Sequence, residues 1–205
     1  MTTLFLLSTI IVSILAFRDE ALSRKLVFNP YIIHNQKQWY RFFSSGLIHA
    51  DVMHLLINML VLYSFGGIVE SNYSDAFGER GGLYFFILYA SSLVMSQLPT
   101  YNNHKQNPTY NSLGASGAVS AIVFTYILFD PLNKLSLYGI IRLPGIIFGI
   151  IYIAYCIYMS KQGKDNINHS AHLWGAIYGF TYTILLKPSL LLEFFDKLIY
   201  FRNVI

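Results

Sequence analysis

The chain has 205 residues, of which 55% are hydrophobic, 17% aromatic and only 12% charged, with a net charge of +4. Soluble domains carry about 25% charged residues, so this balance predicts an integral, multi-pass membrane protein forming one domain over residues 1–205. The basic residues are scattered and form no run interleaved with aromatics, which argues against nucleic-acid binding, and a single cysteine, Cys156, excludes an internal disulfide or a thiolate metal cluster.

Six apolar segments are expected as membrane spans: Thr3–Phe17, Val52–Val69, Leu83–Leu98, Ala115–Phe129, Leu143–Met159 and Ala171–Leu186. The first has no basic leader and ends in Phe17-Arg18-Asp19-Glu20, not at a small-residue cleavage site, so it reads as a span and not a signal peptide. The loop that follows, Arg18–Ile48, is long and aromatic, and Trp39, Tyr40, Phe42 and Phe43 around Arg41 suit a segment lying in the membrane interface. The second span carries His54 and Asn58, four residues apart and so on one helix face. His49 is expected to order the junction before it, and Glu70 at its end to partner backbone groups or Arg80.

The fourth span has about 15 residues before Asp130-Pro131, roughly 22 Å of helix, which is too short to cross alone. Its leading loop, Asn107–Leu113, is therefore expected to dip into the membrane plane, with protein or water satisfying its backbone. Pro144, Gly145 and Gly149 near the start of the fifth span predict a kinked, loosely packed helix able to act as a gate. Cys156 within it reads as a small filler. His34, His104 and His169 fall in polar stretches and read as solvated. Basic residues divide almost evenly between the two sets of loops, so charge does not assign an orientation.

Topology gathers the polar residues. Spans two, four and six run in the same direction, so His54 and Asn58, Ser116, and His172 all lie near one face of the membrane at similar depth. Polar groups at such depth are costly and read as functional. Gly175 and Gly179 form a small-residue stripe on nearly the same face as His172, and Ser116, Gly117, Ser120 and Ala121 form another, so helices four and six can approach closely. This arrangement predicts a dyad in which His172 takes the proton of Ser116 and Ser116 attacks a carbonyl, with the helix N-terminus near the resulting oxyanion. No acidic residue in these spans offers a third member. His54 and Asn58 have two readings, oxyanion donors or hydrogen-bonding glue between helices. His49 to His54 lacks the spacing and the Glu of a zinc protease, so no metal is expected. A transporter would bring inverted repeats and paired charges inside the spans, and neither is seen.

Gly114-Ala115-Ser116-Gly117, the run His49–Asn58 and Ala171-His172-x-x-Gly175-x-x-x-Gly179, in this order and in a six-span setting, resemble the rhomboid intramembrane serine proteases. Trp39-Tyr40-Arg41 and Gly66-Gly67-Ile68-Val69-Glu70 add weaker support. The resemblance implies an all-α, six-transmembrane-helix bundle with an interfacial loop between helices 1 and 2. It implies Ser116 as nucleophile, His172 as base, and Asn58, His54 and the Ser116 amide as the oxyanion hole, with Gly114, Gly117, Gly175 and Gly179 supporting helix packing. Transmembrane segments of other proteins in the bilayer would be the substrates, without metal or organic cofactor, and the compact form is similar to bacterial cytoplasmic-membrane members. No oligomer is implied. The alternative is a catalytically weak or inactive relative that binds and escorts membrane clients. Two departures are visible: four residues after the nucleophile the family pattern has an aromatic that packs on the catalytic His, and here stands Ser120, so Trp174 or another nearby aromatic is expected to support the ring; and the interfacial Trp-Arg pair is offset, with Tyr40 directly before Arg41, which is expected to affect loop anchoring only.

Overall fold

The computed structural model describes residues 1–137, 141–163, 165 and 167–202. Among them the architecture is all-α apart from one short hairpin. The helices are α1 (Thr2–Arg18), α2 (Glu20–Leu26), α3 (Pro30–Gln36), α4 (Arg41–Ser44), α5 (Val52–Phe77), α6 (Gly81–Met95), α7 (Leu98–His104), α8 (Ser116–Phe129), α9 (Gly145–Gln162), α10 (His169–Leu186) and α11 (Ser189–Arg202). An antiparallel pair, β1 (Lys134–Leu137) and β2 (Ile141–Pro144), joins α8 to α9 in the register Lys134 opposite Pro144. The spans expected from sequence fall on α1, α5, α6, α8, α9 and α10. Two helical stretches are long and apolar enough to cross a membrane by length and composition, Val52–His104 and Gly145–Gln162. The first contains a break: α5 runs two turns past its expected end and stops at Gly78, whose φ of 60° is open to glycine at little cost.

Local signals explain several starts. Asp51 caps α5, its carboxylate accepting from His54 N–H at 2.7 Å. Asn29 caps α3 in the same way, with Pro30 at the first helical position. Glu70 accepts from the Thr2 backbone N–H at 2.8 Å, the backbone-partner role expected of it, so the late part of α5 holds the start of α1. The Arg18–Ile48 segment is organised by Arg41, which is 5% exposed and donates to the carbonyls of Arg24 (3.0 Å) and Val27 (2.8 Å) and to Gln38 Oε1 (2.8 Å). Phe28, Ile33 and Phe42 form a small second core beside Leu98 and Tyr101, while Trp39, Tyr40 and Phe43 stay exposed.

Helix α8 is the axis of the molecule. Every residue from Gly117 to Leu128 is buried, and α5, α6, α9, α10 and α11 all pack on it. The Asn107–Leu113 segment is irregular and is bonded in part to the protein around it: Phe28 and Ser112 exchange two N–H···O bonds at 3.0 Å, and Asn29 donates to the Pro108 carbonyl at 3.1 Å. The kink expected in the fifth span is absent, because Pro144 stands at the N-cap of α9 and the helix runs unbroken to Gln162.

The closest approach is between α8 and α10. A methyl group built on Gly175 would overlap the Gly117 carbonyl, and one on Gly179 would overlap the Ala121 carbonyl. Backbone meets backbone with no side chain between. Gly179→Ala should therefore push the helices apart and cost about 3 kcal/mol, the upper range for overpacking, read as a fall in Tm in detergent. Gly67→Ala, with open space around the position, should leave Tm unchanged or slightly raised. Equal effects of the two substitutions would refute this account of the seam.

Candidate active site

The glycine seam brings two side chains from distant parts of the chain into contact. Ser116 is the first residue of α8 and His172 lies in the first turn of α10, and His172 Nε2 is 2.7 Å from Ser116 Oγ. The His172 ring is half-buried. The hydroxyl donates to Nε2 in the neutral tautomer that a base requires, and a carboxylate partner to the ring is not found among the described residues.

The two amides before Ser116 are already engaged. Gly114 N–H donates to the Ser45 carbonyl at 2.9 Å, and Ala115 N–H donates to His49 Nε2 at 3.3 Å. Gly114 has φ of 113°, and a Cβ there would meet His54 Cε1 at 2.7 Å, so the position is closed to side chains on both counts. His49, expected to order the junction before α5, is buried and fixed on both nitrogens. Its Nε2 accepts from Ala115, so Nδ1 carries the proton and donates to Ser13 Oγ at 3.0 Å, and Ser13 in turn donates to the Leu47 carbonyl at 2.9 Å. This chain of bonds ties α1, the loop before α5 and the loop before Ser116 together.

His54 packs edge-on against His49, ring centroids 4.9 Å apart, and borders Gly114. Asn58 is 5% exposed and its amide donates to the His54 carbonyl at 2.9 Å, back onto its own helix. Behind Ser116, a small polar pocket of about 10 Å³, enough for one water, is lined by Ser96, Gln97, Gly114 and Asn168 among others.

The aromatic missing from position 120 arrives from another helix. Tyr152 of α9 lies nearly parallel to the His172 ring, interplanar angle 18° and centroids 6.4 Å apart. Ser120 donates its hydroxyl proton to the Ser116 carbonyl at 2.8 Å, so Tyr152 is the donor in the 2.6 Å contact between Tyr152 and Ser120 hydroxyls. Trp174, by contrast, is 44% exposed. His169 corrects its expected place: it is not solvated but 4% exposed, with Nε2 3.0 Å from Asp165, because it forms the first turn of α10 and turns inward under Tyr155.

Burial, and secondarily the neighbouring His54, push the His49 imidazole down to about 3. The unfolded value is about 6.5, so the stability that neutral His49 contributes is complete above about pH 6.5. It is lost as pH falls toward 3, at up to about 1.4 kcal/mol per pH unit. Thermal melts between pH 7 and 4 should show this acid slope in the parent chain and a shallower one in His49→Gln. Identical slopes would remove His49 from the account.

Comparison with known proteins gives the family. A family profile described as Rhomboid domain matches residues 36–189. The chain is 32% identical over 141 residues to Arabidopsis thaliana RHOMBOID-like protein 12, mitochondrial, covering 65% of this chain and 42% of that protein. It is 25% identical over 182 residues to Haemophilus influenzae rhomboid protease GlpG, covering 86% of this chain and 85% of that protein. It is 27% identical over 172 residues to Arabidopsis thaliana Rhomboid-like protein 11, chloroplastic, covering 77% of this chain and 56% of that protein. The chain thus spans about half the length of the two plant relatives. The profile covers most of the chain, including the loop around His49, the start of α8 and the start of α10, and the chain belongs to the rhomboid family of integral membrane proteins.

Proposed function

We propose that the chain is an intramembrane serine endopeptidase that cleaves transmembrane segments of other proteins, and that it works as a six-span bundle with the Arg18–Ile48 segment in the interface. The single observation that carries this reading is the 2.7 Å contact between Ser116 Oγ and His172 Nε2 at the adjoining ends of α8 and α10.

In this mechanism His172 Nε2 takes the Ser116 proton as Oγ attacks the scissile carbonyl, and the imidazolium then protonates the leaving amine. A water reaching the acyl-enzyme gives its proton to the same nitrogen and releases the acid. The oxyanion falls at the N-terminus of α8, where the Ser116 amide and the positive end of the helix dipole favour it. His54 and Asn58 complete the donor set, Asn58 by turning its amide from the His54 carbonyl, where it now rests. Tyr152 is a positioning residue: its ring supports the imidazole face and its hydroxyl is anchored on Ser120. Helix α9, which packs on α8 and α10, is the segment proposed to move aside for substrate. A bacterial cytoplasmic membrane is the proposed residence, supported by the alignment with the Haemophilus protein over most of both chains.

A fluorophosphonate probe should label the purified chain, with label lost in Ser116→Ala. Cleavage of a single-span test substrate should fall at least about a thousandfold in both Ser116→Ala and His172→Ala. Cleavage by Ser116→Ala at the parent rate would sink the assignment, and a parent chain that binds substrates without labelling or cutting would favour the escort reading.

Tyr152→Ala should lower kcat about 2- to 12-fold, the worth of one aromatic contact of 0.5–1.5 kcal/mol, with KM little changed. Tyr152→Phe, which keeps the ring, should retain most of the rate. A kcat equal to the parent's in Tyr152→Ala would show that the ring does not serve the base.

A further inference from the structure

Two residues beside the dyad have no part in the mechanism above. Cys156 is fully buried on α9, one turn beyond Tyr152, so both project from the face that packs on α10. His169 lies one turn before His172 on α10 and is 4% exposed. Its Nε2 is bonded to Asp165 at 3.0 Å, while its Nδ1 is buried and has no hydrogen-bond partner. A buried ring nitrogen left unpaired is costly unless something else occupies its lone pair. One ligand atom from each of Cys156, His169 and His172 lies within 4.8 Å of the others.

We infer that Cys156, His169 and His172 form an inhibitory binding site for a thiophilic divalent cation of the zinc class, clamping α9 onto α10 at the dyad. This rests on the protease reading for its consequence, though not for the binding itself. One thiolate and two imidazoles are a ligand set suited to tetrahedral zinc, with water as the fourth ligand. Bonds of about 2.0–2.3 Å at tetrahedral angles put ligand atoms roughly 3.3–3.8 Å apart, so closure needs side-chain shifts of about 1 Å. Asp165 bonded to Nε2 of His169 supplies the carboxylate–histidine support typical of metal-bound imidazole, and leaves Nδ1 for the ion. On His172, Nε2 faces Ser116, which leaves Nδ1.

The chemistry of inhibition follows from the tautomer. When the ion binds, the Cys156 thiol loses its proton to solvent, and the His172 proton leaves Nδ1 while Nε2 takes one up. One proton is released per ion. The Nε2–H then donates to Ser116 Oγ and no longer accepts its proton, so the nucleophile loses its base. The same ion links Cys156 to α10 and holds the proposed gate shut. The site departs from the sequence expectation of no metal, but it is a regulatory site and supplies no cofactor.

Co²⁺ and Zn²⁺ titrated into the chelator-treated full chain in detergent provide the test. Co²⁺ should give a thiolate-to-cobalt charge-transfer band at one ion per chain, displaced by Zn²⁺ and lost in Cys156→Ser, with His169→Asn weakening binding at least about tenfold. Zn²⁺ should suppress substrate cleavage by the parent chain at least about tenfold, reversibly with EDTA, while Cys156→Ser keeps the metal-free rate and loses the sensitivity. Absence of the band in the parent chain, or zinc inhibition undiminished in both Cys156→Ser and His169→Asn, would overturn the proposal. A parent chain that shows the band but cuts no substrate under any condition would count against the protease reading and leave the metal site standing.

Discussion

Two helix backbones, α8 and α10, touch with nothing between them, and the meeting of Ser116 with His172 follows from that contact. Gly175 sits on the Gly117 carbonyl and Gly179 on the Ala121 carbonyl. The next turns are tied by hydroxyls: Thr125 and Thr183 both donate to the Gly179 carbonyl, at 3.0 and 2.8 Å, and Tyr73 of α5 reaches Thr183 at 2.7 Å. A membrane interior gives helices little hydrophobic reason to associate, so close van der Waals approach and such bonds carry the association. The cost of the glycines is lower intrinsic helix stability. What they secure is a serine–imidazole distance that bulkier residues along this seam would lengthen.

The second constraint is electrical neutrality. The sequence His49, Ser13, Leu47 on one side and Ala115 on the other forms a chain of bonds that works only with an uncharged imidazole. Asn29 and Arg41 play a comparable part further out, satisfying carbonyls of the irregular segments that flank the site. Irregular backbone survives beside a membrane only when protein saturates its polar groups in this way. The residues just before Ser116 are tied in the same way, Gly114 to the Ser45 carbonyl and Ala115 to His49.

The helix positions were legible because apolar runs and the breaks between them are local properties, and the nearness of Ser116 to His172 was legible because alternate helices share a direction. Helix rotation is not local. Nothing in the run Gly145–Gln162 says which of its aromatics faces α10, so Tyr152 could be foreseen only as one of several aromatics. His169 misled for a related reason: Asp165 and Asn168 beside it read as a solvated loop, yet Asn168 caps α10 and its first turn rotates His169 inward. The β1–β2 hairpin went unforeseen because strands of four residues leave too short a period to read. Pro144 and its neighbouring glycines read as a kink because sequence alone does not tell a helix start from a helix interior.

The pairing of Ser120 with Tyr152 has an evolutionary corollary. A bulky ring at position 120 would compete with Tyr152 for the volume beside His172, since the Ser120 and Tyr152 hydroxyls stand only 2.6 Å apart. Large rings at both positions therefore exclude one another, and positions 120 and 152 are expected to change together. A chimaera that inherits helix α8 from one parent and α9 from another would receive either two rings in one space or none.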